Sequence, residues 1–247
     1  MSIALDQHQA EIQTNRQFWE RKPLLQEIYR SFYERIIARI DRSVPGRVVE
    51  IGSGIGNLRE YFPEALATDL FPNPWLDLVC DGYELPFKTG SLSHLILFDV
   101  FHHLETPVAF FKEARRVLAP GGRVLIFDPY ISLASWPAYG VFHHEPIAYT
   151  SNIDFRDELP RPRKYYAAQG NATRLFFKDT NWLPSEWKIL NAERFAAFSY
   201  LLSGGFSKPA LYPAALLKPL RAADQLFSSI PQLFGGRCLV TLYLAHS

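Results

Sequence analysis

The sequence predicts an open, doubly wound, mostly parallel α/β sheet of about seven strands with flanking helices. Three observations predict it. Short apolar runs recur between turns and helices; one amphipathic helix lies between two such runs; and a glycine-rich turn follows the first run. Fully apolar rather than alternating strands are expected where helices cover both faces of a parallel sheet.

Residues 1–45 read as a helical segment, because Phe18, Leu25, Ile28, Phe32, Ile36 and Ile40 recur at three- and four-residue spacings. Pro45 and Gly46 end it. The apolar runs Arg47–Ile51, Ala65–Asp69, Leu76–Cys80, His94–Phe98 and Arg123–Phe127 then read as strands. Between the last two lies the clearest helix, with Thr106 as N-cap and Pro107 as first helical residue. Val108, Phe111, Ala114, Arg115 and Leu118 lie roughly on one face, and Ala119-Pro120-Gly121-Gly122 is expected to stop it. Strand, helix, strand implies a parallel, right-handed crossover.

Residues 130–182 break this rhythm with Pro137, Pro146, Pro160 and Pro162, many aromatics, and the cluster Arg161, Arg163, Lys164, Tyr165 and Tyr166. We read them as an insertion or lid over the carboxyl ends of the strands, within a domain spanning 46–247. Ligands bind at those ends in such sheets. A strand at Trp187–Leu190, a helix at Ala214–Phe227 and a last strand at Cys238–Leu244 complete the chain.

Composition narrows the function classes. The chain has 247 residues and a formal charge of +1, so no global field favours a polyanion. Cys80 and Cys238 read as core thiols rather than a disulfide framework or zinc site. No apolar run approaches the ~20 residues of a membrane span, and the start lacks the pattern of a signal peptide, so a cytoplasmic location is expected. The apolar stretch around Leu211, Tyr212, Leu216, Leu217, Leu220, Leu226 and Phe227 suits core or dimer packing in a monomer or homodimer. Peripheral contact with a membrane is the other reading.

The motif with the most chemistry is VVEIGSGIGN, from Val48 to Asn57. Gly52, Gly54 and Gly56 let the backbone bend tightly and admit a ligand where Cβ atoms would intrude. A dinucleotide fingerprint would place its third glycine at position 57, which is Asn57, so a nucleoside ligand fits better than NAD or FAD. A helix is expected to start at Leu58.

Taken in order, these elements resemble the class I S-adenosylmethionine (SAM)-dependent methyltransferases, particularly the small-molecule, type 11-like branch, over Val48–Pro129. The resemblance implies a Rossmann-like sheet with an antiparallel last strand. Glu50, Gly52, Ser53, Gly54 and Gly56 would contact SAM and leave S-adenosylhomocysteine after transfer. Asp69, with Leu70 beside it, would take the ribose hydroxyls, and Asp81 with Gly82 would meet the adenine. Asp99 would also contact the cofactor. LFDVFHHLE (Leu97–Glu105) and LAPGGRVLIFDP (Leu118–Pro129) resemble the fourth strand with its loop and the fifth strand. FPNPWLDL leaves hardly any room for the family's usual crossover helix.

A carboxylate such as Asp69 has two oxygens for two vicinal hydroxyls, each charged hydrogen bond contributing on the order of 1.5–3 kcal/mol. Asp69 alone would equally suit a solvated turn, and Glu50 a buried structural acid. His102 and His103, beyond the fourth strand, are candidate bases, or else structural groups. His143-His144-Glu145 form a second polar group, but adjacent ligands rarely converge without a spaced third, so no metal is expected.

These readings imply methyl transfer to an oxygen or nitrogen of a small-molecule acceptor, such as a sugar, lipid-linked or specialised metabolite. The alternative is a non-catalytic SAM-binding sensor or assembly subunit. Nucleic acid is not an expected partner: the Asn/Asp-Pro-Pro-Tyr/Phe pattern of amino-methylating nucleic-acid enzymes is replaced by Asp99-Val100-Phe101-His102.

Overall fold

A computed structural model describes residues 2–141, 145–150, 153–156, 158 and 166–245, with backbone alone for residues 2–9. Seven strands form one sheet: β1 (Arg47–Ile51), β2 (Leu66–Asp69), β3 (Leu78–Val79), β4 (Leu92–Phe98), β5 (Leu118–Pro129), β6 (Trp187–Ala196) and β7 (Gly235–Leu244). Their order is β3-β2-β1-β4-β5-β7-β6, and β7 runs antiparallel to both its neighbours. The chain reverses direction across the sheet between β1 and β4, the crevice where doubly wound sheets bind ligands.

Alternation along the strands builds a core on each face. Val49 and Ile51 of β1 join Phe110, Phe111, Leu175, Phe176 and Trp187 on one side. Val48 joins Leu25, Ile28, Phe32 and Ile36 on the other. The first side is covered by α3 (Pro107–Val117) and, over the β5 end, by α5 (Asn171–Phe177). The second is covered by α1 (Ser2–Arg21), α2 (Pro23–Ile37) and α7 (Leu217–Phe227). Three short helices, α4 (Trp136–Gly140), α6 (Phe198–Leu201) and α8 (Pro231–Phe234), complete the chain.

Several expectations about boundaries need correction. The N-terminal helical segment is two helices, because Pro23 opens a new one after Lys22. No α-helix starts at Leu58; a single 3-10 turn over Asn57–Glu60 stands in its place. Only six residues separate Gly56 from Pro63, which resists helix in the residue before it and cannot donate a hydrogen bond. Ala119-Pro120-Gly121-Gly122 ends α3 but already belongs to β5, whose Leu118 pairs with Leu92. Thr106 stands at the N-cap without capping by its side chain. The segment Ala214–Phe227 is a 3-10 turn followed by α7, and β6 and β7 extend beyond the predicted strands. β3 shrinks to two exposed edge residues, and no helix connects it to β2, as FPNPWLDL implied.

In the C-terminal apolar stretch Tyr212 and Leu217 are buried, whereas Leu211, Leu216 and Leu226 face outward. No described helix is long and apolar enough to cross a membrane.

Candidate functional site

β1 delivers Glu50 and the glycine loop to the carboxyl edge of the sheet. Gly52, Gly54 and Gly56 all have left-handed φ, at 67°, 54° and 71°. The loop turns on glycine for two different reasons. A Cβ on Gly52 would meet Val100 Cγ2 at 2.4 Å, whereas at Gly54 the nearest atom is Ile12 Cδ1 of α1 at 3.8 Å. Gly52→Ala therefore combines left-handed strain with a steric clash, and is expected to cost about 2–4 kcal/mol. Gly54→Ala carries the strain alone, about 1–2 kcal/mol. Chemical denaturation of the two variants checks this ranking, and equal losses would contradict the close approach of Val100.

Asp69, at the end of β2, ties the loop to the neighbouring strand. Its Oδ2 accepts the Gly54 N–H at 3.0 Å and its Oδ1 accepts the Phe71 N–H at 3.3 Å. A carboxylate accepts through two oxygens, the pair of acceptors that two vicinal ribose hydroxyls would use. Ser53 Oγ links the loop to β2 by donating to the Glu50 carbonyl (3.1 Å) and accepting from the Thr68 N–H (2.9 Å). Glu50 is 3% exposed and its Oε2 has no hydrogen-bond partner. Burial pushes its carboxyl up to about 8, and the nearby Asp69 adds to the rise against a hydrogen bond from Ser53.

The remaining predicted residues border the same edge. Leu70 is exposed next to Asp69. Asp81 accepts the Tyr83 N–H at 3.0 Å, and Gly82 lies close to Ile51, where a Cβ would come within 3.3 Å of Cγ2. Asp99 ends β4 in a left-handed conformation (φ 56°) and pairs with Arg237 of β7. Nothing in the sequence pattern pointed to Arg237. It is 2% exposed and stacks on Tyr200 at 4.4 Å, and only the antiparallel return of β7 brings it to Asp99.

Past Asp99, a 3-10 turn over Phe101–His103 presents the two histidines. His102 is buried. Its Nδ1 faces Asp128 Oδ1 at 3.0 Å; its Nε2 faces Glu145 Oε2 and Gln169 Nε2, each at 3.3 Å. Burial pulls the His102 pKa down, but Asp128 and Glu145 outweigh it and hold the ring at about 10. His103, with 31% of its side chain exposed, has Nδ1 at 3.0 Å from the Tyr166 carbonyl and Nε2 at 3.5 Å from Glu145 Oε1. Burial and the neighbouring His102 bring His103 down to about 4. Glu145, grouped in the sequence with His143 and His144, meets His102 and His103. His143, His144, Arg161, Arg163, Lys164 and Tyr165 lie outside the described residues.

Two residues of the 130–182 segment bond to the loop that follows β4. Ala168 N–H donates to the His102 carbonyl and Asp154 N–H to the Glu105 carbonyl, each at 3.0 Å. Beyond β5 lies a cavity of about 610 Å³, lined by Tyr130, Trp136, Phe177, Lys178 and Arg194 among others. The chain enters it two residues past Asp128.

Residues 49–126 match the family described as a methyltransferase domain. Among curated relatives, a probable tRNA methyltransferase 9B of Mus musculus is 40% identical over 53 residues, 20% of this chain and 12% of that protein. An uncharacterized protein of Methanocaldococcus jannaschii is 28% identical over 103 residues, 38% of this chain and 50% of that one. The chain thus spans half or less of the length of these relatives. Among solved structures, the [4+2]-cyclase SpnF superposes with a TM-score of 0.51 at 11% identity, covering 96% of this chain and 97% of that one, a likeness of fold.

Proposed function

We propose that this chain, which matches a methyltransferase domain over residues 49–126, is a class I SAM-dependent methyltransferase that transfers the methyl group of SAM to an oxygen or nitrogen of a small-molecule acceptor. One observation carries the proposal: a left-handed glycine loop held by Asp69, beside a buried Glu50 with one unpartnered oxygen. A cradle free of Cβ atoms and a buried acceptor without a donor are what a polar nucleoside ligand would complete.

SAM supplies a methyl group already activated on a sulfonium. Bound in this loop it would offer that methyl to an acceptor heteroatom, and a protonated acceptor would release its proton to solvent. The residues then have three tasks. Gly52–Gly56 and Glu50 hold the amino-acid end and sugar of SAM, Asp69 takes the ribose hydroxyls, and Leu70, Asp81 and Gly82 border the adenine. Asp99, fixed by Arg237, would contact the cofactor as well. Alignment supplies much of the acceleration in such a displacement. Neither histidine serves as a free base near neutral pH: His102 is held protonated, and His103, at about 4, has little affinity for a proton.

The cavity beyond β5 supports a small acceptor. It is an open cleft with aromatic walls, and the cations Lys178 and Arg194 suit an anionic group on the acceptor. The murine relative's name favours a second reading, a tRNA acceptor. Steep salt-dependent affinity for tRNA would establish that reading in place of the first.

Calorimetric titration with SAM and S-adenosylhomocysteine tests the core of the proposal. Asp69→Ala is expected to weaken SAM at least tenfold, about 1.4 kcal/mol. Absence of binding by folded wild-type protein would remove the proposal. Binding without turnover on any acceptor would favour a SAM sensor.

A further inference from the structure

The structure assigns a second ligand to the acceptor side: we infer that His102, His103 and Glu145 bind one divalent transition-metal ion. The nitrogen and oxygen atoms of the three side chains that would bind it lie within 4.8 Å of one another.

Hydrogen bonding at the far nitrogen of each ring decides where the lone pairs point. The Tyr166 carbonyl can only accept, so His103 carries its proton on Nδ1 and leaves a lone pair on Nε2. Asp128 accepts from Nδ1 of His102, and an ion would displace the proton on the opposite nitrogen, Nε2, which faces Glu145. Both Nε2 atoms then face the carboxylate of Glu145, at 3.3 and 3.5 Å. Ligand atoms about 2.1 Å from a tetrahedral metal sit roughly 3.4 Å apart, so these two separations already suit a shared ion. A carboxylate or carbonyl behind each imidazole is also the usual support of a metal-bound histidine.

Gln169 points the same way, since it is 2% exposed and its Oε1 has no partner beside the cluster. A turn of its amide would bring that oxygen toward the ion.

Two imidazoles and one carboxylate leave coordination positions open, the donor set of sites that bind zinc or ferrous iron with an exchangeable ligand. The exposed edge of His103 is where an acceptor oxygen would enter. This inference adds to the proposed methyl transfer without depending on it, because metal binding is measurable without SAM.

The test uses full-length protein stripped with a chelator. Titration with Co2+ should give visible d–d absorption saturating at one ion per chain, and Zn2+ should displace it. Glu145→Gln and His103→Gln should each weaken Co2+ at least about tenfold, with folding checked by circular dichroism. If either ligand variant fails to fold, X-ray absorption of the wild-type Co2+ complex decides, with two imidazole nitrogens expected. No Co2+ absorption by folded stripped protein would overturn the inference. So would unchanged affinity in both ligand variants. Stripped protein that binds SAM but no Co2+ keeps the methyltransferase reading, and the reverse result keeps only the metal.

Discussion

Replacing Arg237 by Met is expected to destabilise the protein by about 3 kcal/mol, the lower end of the range for breaking a buried ion pair. The guanidinium is 2% exposed, stacks on Tyr200 and lies 5.7 Å from the Phe127 ring centroid, so methionine keeps part of the packing but none of the charge. Asp99 is then left without its partner. Its side chain is 28% exposed, which lets water recover some of the loss and sets the estimate at the low end. A double-mutant cycle with Asp99→Asn separates pairing from packing. If pairing dominates, Asp99→Asn should restore stability in the Arg237→Met background and lower it in wild type. Additive losses, measured by urea unfolding, would assign the cost to packing instead.

Glu50→Gln should do the opposite, and its effect should grow with pH. The folded protein holds the Glu50 carboxyl at about 8, against a reference value of 4.5. Between those two values the folded state keeps a proton that the unfolded state has released. Stability of the wild type therefore falls as pH rises through this window and levels off above 8. Glutamine has no proton to exchange, so the variant escapes the penalty. The stability difference between variant and wild type should widen with pH by up to about 1.4 kcal/mol per unit. Other groups that titrate in the window act on both proteins and cancel in the difference. Parallel stability curves between pH 5 and 9 would show that Glu50 ionises freely in the fold. A bound cofactor that donates to Oε2 should reverse part of the penalty, which ties the acid's burial to its ligand.

The sequence by itself determined the sheet, because β1, β2, β4 and β5 are short apolar runs between turn signals, the pattern of strands buried on both faces. It also determined the glycine loop and Asp69, since chirality makes glycine the favoured residue in left-handed turns and a carboxylate ending a strand beside one is readable at short range. It read FPNPWLDL correctly as too short for a helix. It failed where length rather than pattern decides: six residues ahead of Pro63 cannot complete a helix after Gly56, and the short edge strand β3 pairs over two residues only.

Only the tertiary structure decided the acceptor side. Glu145 follows His143 and His144 in the chain but meets His102 and His103, more than forty residues earlier, because the segment after β5 folds back over the end of β4. Arg237 reaches Asp99 from 138 residues away because β7 inserts antiparallel beside β5. Local spacing encodes which backbone turns a chain can make. Which charges share a buried site depends on where distant strands and loops come to rest, and no periodicity records that.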